Sequence, residues 1–158
     1  MDKIDKIKWC FKLKNGLKLK EKNIDISNSY IEESLKTLIK IKTLIEQKDY
    51  LWASVMIYYS EYYALYAFLS AIGIKSENHE CSISLCEKLL GKESIKIINE
   101  HKKKRIDAQY YLKYVDDDKL QENYKQCKEF ILDFKEKINQ LNKISIDSYL
   151  LKIKDLLK

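Results

Sequence analysis

The sequence predicts an all-α protein, an up-and-down bundle of four to five main helices followed by a short C-terminal helix. Its 158 residues contain no proline and only three glycines, whereas a β-sandwich needs turn residues about every 8–12 positions. Lysine, leucine, isoleucine, glutamate and tyrosine dominate, which is typical of long helices joined by short loops. The length suits a single domain over residues 1–158 with one hydrophobic core.

The first 24 residues have the weakest pattern. Their apolar side chains are scattered among lysines, and Asn15-Gly16 is a turn signal. We therefore expect a short helix followed by an extended arm over residues 1–24. The core bundle is predicted over 28–142, and a final amphipathic helix over 145–158.

The first core helix is predicted over residues 28–47. Ser27 or Asn28 is the expected N-cap, because their side chains accept hydrogen bonds from the first turn. The apolar residues that follow helical spacing are Ile31, Leu35, Leu38, Ile41, Leu44 and Ile45.

The second core helix is predicted over residues 50–72, with Asp49 as its N-cap and Gly73 at its end. It is apolar on nearly every side and rich in tyrosine. A helix of this kind lies either at the centre of a bundle or in an oligomer interface. The sequence favours neither position over the other.

Capping residues and apolar spacing predict the remaining helices as well. In chain order these are 79–90 after a cap at Asn78, 93–112, a helix from the acidic triplet 116–118 to residue 142, and a last helix opened by Ser145 or Asp147.

Several classes of function are excluded by composition or by missing motifs. The sequence has no GxxxxGK or GxGxxG loop, so a nucleotide site of the P-loop or Rossmann kind is not expected. No secretory leader or membrane-spanning run is evident, which predicts a cytoplasmic protein without membrane contact. The net charge of +6 arises among 24 acidic residues, and it permits contact with nucleic acid without demonstrating it.

The four cysteines lack the spacing of a metal site or a redox motif. In a cytoplasmic chain we expect them to be reduced thiols packed as small apolar groups. The pattern H-x-C-x4-C formed by His79, Cys81 and Cys86 is not a zinc arrangement, because a helix turns the two thiols to different faces. We expect no metal and no cofactor.

The most informative feature is Arg105, the only arginine among the 30 strongly basic residues of the chain. Its guanidinium is a rigid fork that fits a phosphate or a carboxylate through two hydrogen bonds. It lies in the segment HKKKRIDAQYY over residues 101–111, where His101 and Gln109 are each one helical turn away. The broad face that it is expected to share consists of Ile98, His101, Arg105, Ala108, Gln109 and Leu112.

A binding site is predicted around this arginine. Tyr110 or Tyr111 would stack on a base or donate a hydrogen bond. The alternative is that Arg105 and Asp107 form ion pairs with neighbouring helices while the tyrosines pack. The candidate binding residues are Arg105, Lys104, Asp107, Gln109, Glu61 and His79. Glu61 is included because a carboxylate deep in an apolar helix needs a partner, although an exposed edge is the other place for it.

Three segments in order resemble the HEPN domain superfamily, and in particular its small stand-alone archaeal and bacterial members. They are YYSEYYALYAFLSAIGIK (58–75), with Ser60 in place of the usual alanine, ENHECSISL (77–85) and RIDAQYY (105–111). The resemblance covers roughly residues 28–142. It implies an up-and-down helical bundle that forms a homodimer with the arginine-bearing helices together. Many such proteins are metal-independent ribonucleases, and many pair with an MNT-type nucleotidyltransferase as toxin and antitoxin.

The chain departs from the signature of that superfamily, an arginine followed four to six residues later by a histidine. Positions 110–112 carry Tyr110, Tyr111 and Leu112. RNA cleavage through the 2′-OH needs a base and an acid, and a phenol with a pKa near ~10 is a poor base. The candidate catalytic residues are Arg105 for the charged transition state, Tyr110 and Tyr111 as acids, and His101 as a substitute base, although a histidine at that position is expected at the surface or at a cap.

Three functions therefore remain. The preferred one is a dimeric HEPN-like module that binds RNA, a nucleotide or a nucleotidyltransferase partner in a toxin–antitoxin or defence setting, with Tyr110 or Tyr111 as a nucleotidyl acceptor in one variant. The alternative is a metal-independent endoribonuclease toxin that acts on single-stranded RNA through Arg105. A helical homo-oligomer without a ligand is the third.

Overall fold

The computed structural model describes the backbone of residues 3–158 and the side chains of residues 6–158. Residues 1 and 2 of the predicted N-terminal arm lie outside this range. The prediction of an all-α bundle is confirmed. The elements in chain order are α1 (Lys3–Lys12), β1 (Lys18–Leu19), α2 (Ile24–Glu46), α3 (Tyr50–Ala71), β2 (Ile74–Lys75), α4 (His79–Leu90), a 3-10 turn (Glu93–Ile95), α5 (Lys96–Tyr111), α6 (Asp117–Asn139) and α7 (Lys143–Leu157).

Helix α3 is the centre of the bundle. It packs against α2, α5 and α6, and its N-terminal half also approaches α4. Tyr58, Leu65 and Phe68 on this helix are completely buried within the single chain. Of the two positions open to an apolar helix of this kind, the structure therefore selects the core of the bundle.

A serine pair joins α2 and α3. The Ser34 hydroxyl donates to the Ser60 carbonyl at 2.7 Å, and the Ser60 hydroxyl donates to the Ser34 carbonyl at 2.9 Å. Both side chains are buried, and a buried hydroxyl is costly unless it is hydrogen bonded. The reciprocal pair satisfies both buried hydroxyls, so a serine fits at position 60.

Three of the predicted N-caps are confirmed: the side chains of Asp49, Asn78 and Asp116 each accept a hydrogen bond from the first turn of α3, α4 and α6 respectively. The starts of α2 and α7 were predicted too late. Asn23 caps α2 and Asn142 caps α7, the latter in a reciprocal capping box with Ser145. An asparagine that lies earlier in the chain caps as well as serine does, and each helix begins directly after it.

The predicted arm forms α1, a tight turn and a short strand. Strand β1 pairs antiparallel with β2, with Lys18 opposite Lys75. Gly16 is required in the turn, because a Cβ atom at this position would lie 1.9 Å from the Cys10 carbonyl oxygen. The backbone passes too close to itself for any other residue.

The expectation of four reduced thiols was wrong for two of the cysteines. Cys10 on α1 and Cys81 on α4 form a disulfide across 71 positions of sequence. Cys86 and Cys127 are free and buried, and burial raises the pKa of both thiols. The disulfide joins α1 to the first turn of α4. Disulfides are rare in cytoplasmic proteins, so this bond does not support the predicted cytoplasmic location.

The C-terminal helix completes the same core. Ile146 and Ile153 on α7 are buried in the hydrophobic cluster that the other helices share, and α7 also contacts α1. Among residues 3–158, none of the helices combines the length and the hydropathy that crossing a membrane requires.

Candidate functional site

Arg105 lies on α5 with its guanidinium against the tyrosines of α3. Its Cζ atom is 4.9 Å from the centre of the Tyr58 ring and 5.9 Å from that of Tyr59. A planar cation over an aromatic ring is attracted by the negative face of the ring. Nη1 donates to Gln109 Oε1 at 3.2 Å, one helical turn further on. Within the described residues this is the one hydrogen bond of the guanidinium. Nε is buried without a partner, so the N–H groups left for a ligand are those of Nη1 and Nη2.

His79, the first residue of α4, lies on the other side of Tyr58. Its Nδ1 atom is 2.9 Å from the Tyr58 hydroxyl, and its ring stacks on Tyr62 with the centroids 3.6 Å apart and the planes 12° from parallel. The Tyr62 hydroxyl is hydrogen bonded to Ser82 at 3.0 Å. These contacts fix the imidazole plane, and within residues 6–158 they leave Nε2 without a hydrogen bond.

Tyr58 therefore connects the two predicted site residues. Its ring lies under the Arg105 guanidinium and its hydroxyl reaches the His79 imidazole. Burial raises the pKa of Tyr58 well above that of a free phenol, although the charge of Arg105 opposes this effect. The phenol stays neutral at physiological pH and acts as a hydrogen-bonding bridge.

The imidazole of His79 is neutral at physiological pH. Burial lowers its pKa below the usual 6.5, and the positive charges of Arg105 and Lys102 lower it further. A neutral imidazole can accept a proton, whereas an imidazolium cannot. The arrangement thus places a fixed cation and a neutral base on the two sides of one tyrosine.

His101 and Glu61 form a buried pair beneath this site. His101 Nδ1 is 2.5 Å from Glu61 Oε1, and His101 Nε2 is 3.2 Å from Gln126 Oε1 on α6. Both side chains are almost fully buried, so the expectation of a surface or capping histidine at position 101 was wrong. Glu61 does face α5, but its partner there is His101. Burial raises the pKa of the Glu61 carboxyl, and the hydrogen bond from His101 opposes that shift.

Two of the lysines that precede Arg105 interact with other parts of the chain. Lys102 forms an ion pair with Glu80, which also binds Lys6 at 2.5 Å. The hydrogen bonds from Lys102 and Lys6 lower the pKa of the Glu80 carboxyl to about 2. Lys104 faces α6, where burial and the charge of Lys119 lower its pKa.

The C-terminal end of α5 is exposed. Tyr110 and Tyr111 have 68% and 66% of their side chains accessible, and neither contacts the guanidinium. Leu112 was expected on the face of Arg105. It instead caps the helix in the left-handed conformation (φ 53°) and is exposed, because α5 ends at Tyr111 and the helical spacing does not extend beyond it. The Asp107 carbonyl oxygen accepts from Lys113 N at this helix end.

A groove of about 440 Å³ opens beside His79. Its wall is mainly aromatic, and its members are Tyr30, Tyr59, Tyr62, Tyr63, Tyr66, Lys75, Ser76, Glu77 and His79. We call it the tyrosine groove. A second cavity of about 320 Å³ adjoins it and shares Tyr30, Tyr66 and Lys75.

These tyrosines are the functional residues that the sequence analysis missed. The signal was present, because positions 58, 62 and 66 are each one helical turn apart and must lie on one face of α3. Their proximity to Arg105 and His79 depends on the packing of three helices and has no local signature. Among the described residues, no cluster of three or more His, Cys, Asp and Glu side chains is arranged to hold a metal ion.

The fold and this site define a class of protein: an all-α bundle in which a half-buried arginine on one helix lies beside tyrosine and histidine side chains from two others. The sequence model of the HEPN domain family matches residues 27–141, and the chain therefore belongs to the HEPN family. Neither a curated protein nor a solved structure matches it.

Proposed function

We propose that the chain is a binding module for RNA or a nucleotide, in which Arg105 holds a phosphate group beside the neutral imidazole of His79. The observation that supports this best is the guanidinium itself. It lies over the Tyr58 ring and donates to Gln109, and among the described residues the N–H donors of Nη2 have no protein partner. A pre-oriented guanidinium loses little freedom when a phosphate binds.

A homodimer, an MNT-type nucleotidyltransferase partner and a toxin–antitoxin or defence setting belong to the same proposal. They rest on membership of the HEPN family. The phenols of Tyr110 and Tyr111 are exposed in the single chain and are the candidates for accepting a nucleotidyl group from such a partner while the chain is monomeric. Intact-mass measurement after incubation with that enzyme and ATP would detect the transfer.

Binding of a fluorescent single-stranded RNA of about 12 nucleotides tests the phosphate site. The RNA carries 2′-O-methyl groups, so that cleavage through the 2′-OH cannot occur during the measurement. We expect Arg105→Ala to weaken binding roughly 10-fold or more, because hydrogen bonds to charged groups contribute about 1.5–3 kcal/mol. Arg105→Lys should recover only part of this, since an ammonium lacks the fork.

The matched control is Lys103→Ala, which removes an equal charge from an exposed position on the same helix. We expect this variant to bind within about twofold of the wild type, because a single solvent-exposed charge contributes little. Equal affinities of Arg105→Ala and the wild type would contradict the proposal.

The second candidate function is a metal-independent ribonuclease, and the position of His79 favours it. In this candidate, His79 on α4 takes the role of the histidine that is missing after Arg105 in the sequence. It lies close enough to Arg105 for that charge to lower the pKa of its imidazole. As a base, His79 would donate Nδ1–H to the Tyr58 oxygen and take the 2′-OH proton at Nε2. Arg105 would stabilise the charge that develops on the phosphate.

Cleavage of unmodified RNA in EDTA tests this candidate with wild type, Arg105→Ala and His79→Phe, the last of which keeps a ring against Tyr62. Both variants should lose about 10²-fold or more in rate. The base form of His79 predominates above its lowered pKa, so the rate should be level from pH 8 down to about 6.5 and fall only at lower pH. Full activity of His79→Phe would exclude His79 as the base.

A further inference from the structure

The tyrosine groove is continuous with the Arg105 site. Tyr59, Tyr62 and His79 contribute to both, since they line the groove and also contact one another or Arg105. The Arg105 site and the tyrosine groove therefore adjoin each other across these three residues.

Three tyrosine rings of α3 form a series that leads from the buried Tyr58 to the groove. The rings of Tyr58 and Tyr62 are 6.4 Å apart with planes 28° from parallel, and those of Tyr62 and Tyr66 are 6.2 Å apart with planes 19° from parallel. The imidazole of His79 already stacks on Tyr62. The imidazole is itself a planar heterocycle, so its contact with Tyr62 shows that such a group can stack on these rings.

The far end of the groove carries faces and edges of tyrosine rings that are held in place. Tyr30 lies edge-on to Tyr66 at 4.9 Å and 5.8 Å from Tyr63. Burial raises the pKa of the Tyr30 phenol, and the neighbouring phenols Tyr66 and Tyr63 raise it further. The Tyr30 hydroxyl therefore stays protonated and can donate and accept a hydrogen bond.

The charges at the rim select against a second phosphate. Lys75 Nζ and Glu77 Oε1 form an ion pair at 3.0 Å, so the groove carries no net charge from its two ionic side chains. An uncharged planar ring with polar edges fits such a surface better than an anion does. The volume of about 440 Å³ lies in the range of pockets that hold small ligands.

We propose that the tyrosine groove is a base-binding subsite for an unpaired nucleobase of single-stranded RNA, next to the phosphate held by Arg105. The inference rests on the proposed function, because it places the base relative to that phosphate. Stacking on aromatic side chains accepts every base, since each base has a flat π-face. The subsite therefore selects single strands over duplexes and does not read sequence.

The test measures binding of 2′-O-methyl oligouridylate of about 12 nucleotides to the wild type, Tyr66→Leu, Tyr66→Phe and Tyr30→Leu. Trp52→Leu is the matched control, an exposed aromatic residue on the same helix and outside the groove. Removing a stacking ring should weaken binding about 10-fold. Tyr66→Phe, which keeps the ring, and Trp52→Leu should both bind within about twofold of the wild type.

A second arm needs no substitution in the protein. An oligonucleotide with abasic sugars keeps every phosphate and loses its bases, and the wild type should bind it about 10-fold more weakly than the intact strand. In Tyr66→Leu, removing the bases from the oligonucleotide should lower the affinity much less, because the stacking partner is already absent. This arm decides the question if Tyr66→Leu or Tyr30→Leu fails to fold.

The two proposals fail in different ways. If Tyr66→Leu and the abasic strand bind normally while Arg105→Ala binds weakly, the base subsite is wrong and the phosphate site stands. If Arg105→Ala also binds like the wild type, the phosphate site is wrong, and the base subsite falls with it.

Discussion

At the scale of single residues, Arg105 shows what a lysine cannot supply at this position. Every other strongly basic residue of the chain is a lysine, whose ammonium is a compact charge on a flexible stem. The guanidinium instead lies over the Tyr58 ring and donates to Gln109. Its isolation in the sequence predicted a site at this arginine, and His79 was among the residues expected there. The sequence did not predict that Tyr58 would connect Arg105 to His79, because the three residues come from three different helices.

The pair of His101 and Glu61 yields a prediction about stability at the same scale. His101→Ala removes the hydrogen-bond partner of a completely buried carboxyl. Breaking a buried pair from one side typically costs about 3–5 kcal/mol. We expect the free energy of unfolding at neutral pH, measured by urea denaturation, to fall by roughly 3 kcal/mol.

The control is the double variant Glu61→Gln/His101→Ala, in which the remaining side chain carries no charge. Its loss should be clearly smaller than that of His101→Ala, since a buried amide costs less than a buried carboxylate. A loss below about 1 kcal/mol in His101→Ala would show that the pair adds little to stability.

At the scale of elements, the sequence predicted which helices exist better than where they meet. The caps Asp49, Asn78 and Asp116 are local signals, so α3, α4 and α6 began where they were expected. The starts of α2 and α7 were wrong because Asn23 and Asn142 cap three to five residues before the predicted caps. Contacts between elements were not accessible, because no local pattern marks them.

The disulfide is the clearest contact of this kind, and it gives a prediction for α1 and α4. A cross-link over 71 positions removes chain entropy from the unfolded state, which corresponds to about 4 kcal/mol in the chain-entropy treatment. We expect a reductant to lower the urea midpoint of the wild type accordingly. Cys81 follows His79 by two residues, so the cross-link holds the turn of α4 on which His79 lies.

The comparison for this experiment is Cys10→Ser/Cys81→Ser. This double variant should unfold at the midpoint of the reduced wild type, and a reductant should not change its midpoint. Identical midpoints of the wild type with and without reductant would mean that the cross-link does not contribute to stability.

At the scale of the whole molecule, one exposed apolar surface stands at the end of α5. Four large side chains within five positions there are about half to two-thirds exposed, namely Tyr110, Tyr111, Leu112 and Tyr114. Contiguous apolar patches of this kind often mark protein–protein contacts. The aromatic helix α3 cannot provide such a surface, since it lies in the core of the single chain. We expect this α5 end to be the homodimer surface that is predicted for a member of the HEPN family.

The substitution Tyr111→Arg places a charge in this surface and should give a monomer, because a charged side chain that becomes buried without a partner is costly. Its mass in solution, measured by light scattering over a range of concentrations, is compared with that of Ile144→Arg. Ile144 on α7 is also exposed, with 82% of its side chain accessible, but it lies outside the patch and its variant should stay dimeric. A wild type that stays monomeric, or a Tyr111→Arg variant that stays dimeric, would show that another surface or none joins the subunits.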